Sequence, residues 1–259
     1  MTMAGDAHAL SVDAPVCRYV ELDRFTDALP AQVLSVEERA RAESLRFPLD
    51  RQRFVAAHVA LRQALCAYTG LEPAALTLVT GAFGKPSLSG RTRVQFSLSH
   101  SQGLALIAIG ELGPLGVDVE LLRPMPDAAA LAAAHFTPRE QDALAALPSH
   151  ERDPAFLTCW TRKEACLKAI GVGLLVSPQS FEVGLAPERR RVEVPVAGRT
   201  LVLELGPAPA RPDSVGSLAT WRHTEARAQA SGAGSEGGRM RPLNALKGMA
   251  EARCAGGVA

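Results

Sequence analysis

The sequence predicts an α+β fold built from two similar halves. Two observations lead there. Candidate elements run from a strand and helices through a group of strands to helices and then strands again. Within that order, Val117, Val119 and Leu121 alternate with Asp118 and Glu120, the period of a half-buried strand. Trp160, Glu164 and Lys168 instead recur every four residues, along one stripe of a helix. The halves are expected to meet near 121–126. The chain then divides into residues 1–122, residues 123–222 and a tail of 223–259.

Taken in order, Val16 to Leu22 reads as a short strand. Ser35 with Glu38 three residues on is a possible capping box, which predicts a helix from Val36 to about Leu45, ended by Pro48. The next helix carries Phe54, His58, Leu61 and Leu65 on one face, with Arg53 and Arg62 flanking it, and stops near Gly70. Residues 76–79 suggest a strand, and Gly81 to Pro86 a loop forced by its glycines and proline. Val94, Phe96 and Leu98 alternate into Ser99-His100-Ser101, and Leu104 to Ile109 is a short apolar run suited to a buried strand. With Leu115 to Leu121 these strands predict an antiparallel meander.

An alanine-rich helix is expected up to Phe136. Thr137-Pro138-Arg139-Glu140 starts another, closed by Pro148. Asp153-Pro154 is read as opening the helix that bears Trp160, Glu164 and Lys168, with Gly171 ending it. Phe181 to Leu185 is expected as a strand. Arg191 to Val196 should pair with Thr200 to Leu205 across Ala197-Gly198, and Val215 to Arg222 gives a further strand. Beyond His223 the composition turns to Gly, Ala, Ser and Arg, too poor in apolar groups to offset ordering entropy, so disorder is expected.

The bulk numbers narrow the function classes. The chain is 47% hydrophobic with a formal net charge of +1, so no global field draws it to nucleic acid or membrane. An anion site must come from local clustering. Five scattered cysteines lack metal-ligand spacing and read as reduced thiols. The charged first thirty residues do not resemble a secretory signal, and no stretch has the roughly 18 uninterrupted apolar residues of a membrane span. A cytoplasmic protein is expected.

Asp118 and Glu120 share one strand face, and Glu164 and Lys168 one helix stripe. If strand and helix pack together, three carboxylates and a lysine converge. Such carboxylates repel and need a cation to ionise together, and Mg²⁺ takes oxygen ligands with substrate phosphates. Lys168 has the bland reading of an i,i+4 ion pair with Glu164 and the functional one of a phosphate contact. Lys163, off the stripe, is expected at the surface, and Trp160 as packing. Lys85, between Gly84 and Pro86, sits on a stiff loop, and His100 stands at a strand end open to an anion. Ser99-His100 lacks the Gly-x-Ser-x-Gly pattern of a serine hydrolase.

The series Gly84-Lys85-Pro86, Phe96-Ser-Leu-Ser-His-Ser101, Gly116-Val-Asp-Val-Glu120, Phe136-Thr-Pro-Arg-Glu140 and Trp160-Thr-Arg-Lys-Glu-Ala-Cys-Leu-Lys168, with Arg53 in Arg53-Phe-Val-Ala-Ala-His58, resembles the 4′-phosphopantetheinyl transferases of the larger, surfactin-synthetase-activating type. The resemblance spans about residues 16–222. It implies coenzyme A as donor, a serine of an apo acyl or peptidyl carrier protein as acceptor, 3′,5′-ADP as product, and a monomer with an internal pseudo-twofold. It further implies Mg²⁺ held by Asp118, Glu120 and Glu164, with Glu164 as general base (directly or through water) and Glu120 as second choice. Lys168 would stabilise charge on the bridging phosphates. Arg53, Lys85 and His100 would lie at the nucleotide end, toward the 3′-phosphate, and Ser99, Asp118 and Lys168 would also contact coenzyme A. Acidic carriers would dock near Thr137 to Leu147 and Lys163. A Mg²⁺-dependent nuclease would need a basic stripe that a net charge of +1 does not support. A non-catalytic paralogue would be expected to lack an acid or Lys168, and all are present.

Overall fold

The computed structural model describes residues 14–24, 33–81, 83–90, 92–171 and 175–221. The expected tail 223–259 lies outside the described residues. The elements are β1 (Val16–Glu21), α1 (Val36–Glu43), α2 (Pro48–Thr69), β2 (Leu78–Thr80), β3 (Pro86–Leu88), β4 (Gln95–Ser101), β5 (Leu104–Gly110), β6 (Leu115–Leu121), α3 (Ala128–His135), α4 (Pro138–Ala146), α5 (Ser149–Ile170), β7 (Arg190–Val196), β8 (Arg199–Pro207) and β9 (Ser214–Trp221). The protein is α+β, as expected.

Local signals account for most boundaries. Ser35 and Thr137 both close reciprocal capping boxes, with Glu38 and Glu140. Gly70 and Gly171 end α2 and α5 in the left-handed conformation, at φ 70° and 73°. Ala197 and Gly198 both take positive φ, as a two-residue hairpin turn requires, and join β7 to β8.

Two prolines act differently from expectation. Pro48 does not end α1, which stops at Glu43; it starts α2, where its missing N–H has no helical partner to lose. Pro154 does not open α5, which begins at Ser149 and carries that proline inside. One backbone hydrogen bond is forfeited there, while Phe156, Leu157 and Trp160 just beyond it are buried.

The strands form a three-stranded sheet β1-β5-β4, a β2-β3 hairpin and a four-stranded sheet β6-β9-β8-β7. The meander expectation is corrected here. β4 and β5 pair antiparallel, but β6 leaves them and pairs with β9 along its whole length. Phe181 to Leu185 is not a strand either. The Val183 and Gly184 amides donate to Glu140 Oε1 instead of to a ladder, while Phe181 and Val183 are buried.

Three apolar clusters stack the molecule. α2 covers one face of the first sheet, through Ala57, Leu61 and Leu65 on Phe96, Ile107 and Ile109. The other face, with Leu104, Leu106 and Ala108, meets Leu115, Val117 and Val119 of β6. The far side of the second sheet carries α3, α4 and α5. Helix on sheet against sheet under helix is compatible with a pseudo-twofold arrangement. Among the described residues no helix is long and apolar enough to cross a membrane.

Candidate active site

Where the two sheets meet, β4 and β6 run side by side with no backbone ladder between them. Serine hydroxyls make the join. Alternation points Ser97, Ser99 and Ser101 to the β6 side, and all three are buried. Ser97 Oγ accepts from the Val117 amide at 3.1 Å, and Ser101 Oγ accepts from the Leu121 amide at 3.3 Å. The same row orients the two carboxylates. Ser99 donates to Asp118 Oδ1 and Ser101 donates to Glu120 Oε2, each at 2.5 Å.

The helix supplies the cation. Lys168 Nζ donates to Asp118 Oδ1 at 2.7 Å and to Ser99 Oγ at 2.9 Å. Burial works to lower the Lys168 pKa, but the charges of Asp118, Glu164 and Glu120 raise it above the usual lysine value. All three acids therefore lie within electrostatic reach of one ammonium. Glu164, one helical turn before Lys168, is half-buried. Trp160, a turn earlier, is buried with its ring edge-on to His135 at 5.4 Å. Gly116 explains how α5 comes so close to β6: a Cβ there would overlap the Ala165 carbonyl oxygen and the Ala169 amide.

Glu120 has a cation of its own. Arg123 Nη1 donates to Glu120 Oε2 at 2.8 Å and to the Leu121 carbonyl at 3.3 Å. Among the described residues no group of three or more His, Cys, Asp or Glu side chains stands close enough to hold a metal ion. The donors are nonetheless all oxygen, the chemistry a hard cation takes, and such an ion commonly draws its remaining ligands from substrate phosphates.

The other expected site residues are dispersed around this centre. Lys85 Nζ donates to the Leu115 carbonyl at 2.8 Å and the Ala169 carbonyl at 3.4 Å, tying the β2-β3 loop to the start of β6 and the last turn of α5. Burial pushes its pKa down to about 8. Lys85 also lines a cleft of about 220 Å³ with Pro86, Phe96, Pro114 and Gly171, which the three carboxylates do not line. Arg53 is bidentate to Asp23, at 2.7 and 2.8 Å. His100 shares the α2-facing side of β4 with Phe96 and Leu98, opposite to Ser99.

Two cations are buried in ion pairs. Lys163 is not at the surface: it is 1% exposed and pairs with Glu140 at 2.8 Å. It also donates to the carbonyls of Pro178 and Phe181. Buried there, it presents no surface on which a carrier could land. Arg62, flanking the apolar face of α2, is likewise a buried partner, of Glu38. Sequence reasoning passed over Ser97, Ser101 and Arg123. The period-two serines ahead of Asp-x-Glu were a usable signal for the first two; Arg123, three residues past Glu120, showed none.

Residues 114–200 match the 4′-phosphopantetheinyl transferase superfamily. Similar proteins include the 4′-phosphopantetheinyl transferase HetI of Nostoc sp., 41% identical over 160 residues, covering 61% of this chain and 67% of that protein. The 4′-phosphopantetheinyl transferase psf-1 of Bacillus pumilus is 29% identical over 155 residues, 60% of this chain and 65% of that protein. The 4′-phosphopantetheinyl transferase Sfp of Bacillus subtilis (strain 168) is 27% identical over 152 residues, 59% of this chain and 66% of that protein.

Proposed function

This chain belongs to the 4′-phosphopantetheinyl transferase superfamily, and we propose that it transfers 4′-phosphopantetheine from coenzyme A to a serine of an apo acyl or peptidyl carrier protein. The observation that carries the reading is the meeting of Asp118, Ser99 and Lys168 beneath a helix whose same stripe bears Glu164.

In the reaction the carrier serine oxygen bonds to the β-phosphorus of the coenzyme A diphosphate. The bond from that phosphorus to the departing 3′,5′-ADP breaks. Glu164 takes the hydroxyl proton, directly or through water. Glu120, one oxygen of which receives Ser101 and Arg123, is the second choice. Lys168, fixed by Asp118 and Ser99, stabilises charge on the bridging phosphate oxygens. Mg²⁺ held by Asp118, Glu120 and Glu164 together with those oxygens would neutralise the diphosphate and polarise the phosphorus.

Residues 1–122 supply the nucleotide contacts in this reading, from Arg53, Lys85, Ser99 and His100, of which Lys85 lines the cleft. Residues 123–222 supply the Glu164 helix. The protein acts as a cytoplasmic monomer, and carriers dock on the exposed side of α4.

The test is intact-mass analysis of several apo carrier proteins after incubation with the protein, coenzyme A and Mg²⁺. A phosphopantetheine-sized gain is expected. It should be lost with Glu164→Gln and with EDTA, while that variant still binds coenzyme A. No gain on any carrier would refute the transferase reading.

A further inference from the structure

Two carboxylates at the site each pair with a cation of the chain itself, Asp118 with Lys168 and Glu120 with Arg123. Clustered carboxylates need a cation to ionise together. The fold supplies part of that neutralisation internally, at Asp118 and at Glu120.

Arg123 is oddly placed for a purely structural residue. It stands on the connection between β6 and α3 and turns back three residues to Glu120, with 24% of its side chain exposed. Among the described residues its hydrogen bonds go only to Glu120 and the Leu121 carbonyl. Ser101 donates to the same Glu120 oxygen, Oε2. Among the described residues Oε1 accepts no hydrogen bond, so the two oxygens of Glu120 are inequivalent: one is held and the other is open to a ligand.

We propose that Arg123 is an internal counter-ion that makes cation loading at Glu120 depend on the diphosphate of the incoming substrate. The inference rests on the transferase reading for the identity of that diphosphate. A divalent cation approaching Glu120 alone meets the Arg123 guanidinium beside it, which offsets the attraction of the carboxylate. A diphosphate brings its own negative charge and oxygen ligands, so cation and diphosphate bind well only together. Arg123 thereby keeps the site from filling with metal before the donor arrives.

Mn²⁺ binding to the full chain tests this, followed through the electron paramagnetic resonance of the free ion. It is measured alone and with inorganic pyrophosphate, against protein-free blanks. Arg123→Gln is expected to bind Mn²⁺ alone about tenfold more tightly than the parent, from the loss of one nearby positive charge. Arg123→Lys should stay close to the parent, and pyrophosphate should tighten binding more in the parent than in Arg123→Gln. Unchanged or weaker Mn²⁺ binding by Arg123→Gln overturns the proposal, as does an equal pyrophosphate effect in both. Glu120→Gln gives an independent check: it should weaken the parent's Mn²⁺ binding, and full retention also overturns the proposal. Carrier modification is scored separately. An Arg123 effect without any modified carrier sinks the transferase reading alone, and modified carriers without the Arg123 effect sink this inference alone.

Discussion

Glu140 accepts from the Thr137 amide, the Lys163 ammonium, and the amides of Val183 and Gly184. Burial alone would raise its pKa, but the Lys163 charge and these hydrogen bonds hold it below the ordinary carboxylate value of 4.5. A depressed folded pKa means that its stabilisation is complete above the unfolded value and is lost as pH falls through the folded one. Glu140→Gln would leave the Lys163 charge buried without a counter-charge. It should cost about 3–5 kcal/mol, read by urea unfolding at pH 7. The variant should also lose part of the parent's stability loss below pH 4.5. Parent-like stability would show that Lys163 finds enough in the Pro178 and Phe181 carbonyls.

The contact between β6 and α5 rests on Gly116. The atoms an added methyl would meet there are backbone, so no side chain can move aside to make room. Gly116→Ala should therefore push helix and strand apart, at a cost of about 1–3 kcal/mol. Because Lys168 and Asp118 lie on the two elements being separated, the rate of carrier modification should fall as well. Thermal denaturation and a timed intact-mass assay read the two effects. An alanine variant as stable and as fast as its parent would remove Gly116 from the account. The capping boxes of α1 and α4 and the turn at Ala197-Gly198 could all be read from residues within a few positions of one another. Pro154 could not, because its place inside α5 depends on the buried face that begins just after it.

Lys85 joins three parts of the molecule, the β2-β3 loop, β6 and the end of α5, through two carbonyls. Its folded pKa, about 8, lies below the 10.5 of an ordinary lysine. Between those values the unfolded chain binds the proton and the folded chain does not. Stability from this group therefore rises with pH across that window. Cysteines and tyrosines titrate nearby, so the measurement is the difference between parent and Lys85→Met in urea unfolding from pH 7.5 to 10.5. The parent should gain relative to the variant as pH rises, and a flat difference would mean that Lys85 is not desolvated in solution. Thiol chemistry reports on the same packing. Cys166 is buried with its pKa pushed up to about 12, and should react with a thiol reagent only at the rate of unfolding.

Periodicity and caps in the sequence were enough for most element types, for the α+β class and for placing Asp118 and Glu120 on one strand face and Glu164 and Lys168 on one helix stripe. Those features depend on neighbours two to four residues apart, which the chain states directly. Tertiary structure settled which sheet β6 joins, how the serines of β4 take the place of a backbone ladder, and where each charge goes. Lys163 and Arg62 carry no local mark of burial, since their partners Glu140 and Glu38 are 23 and 24 residues away. Arg123 lies only three residues from Glu120, yet their pairing depends on β6 being held against Ser101. A charged side chain is buried or solvated according to what the rest of the fold brings to it, and that information is not local.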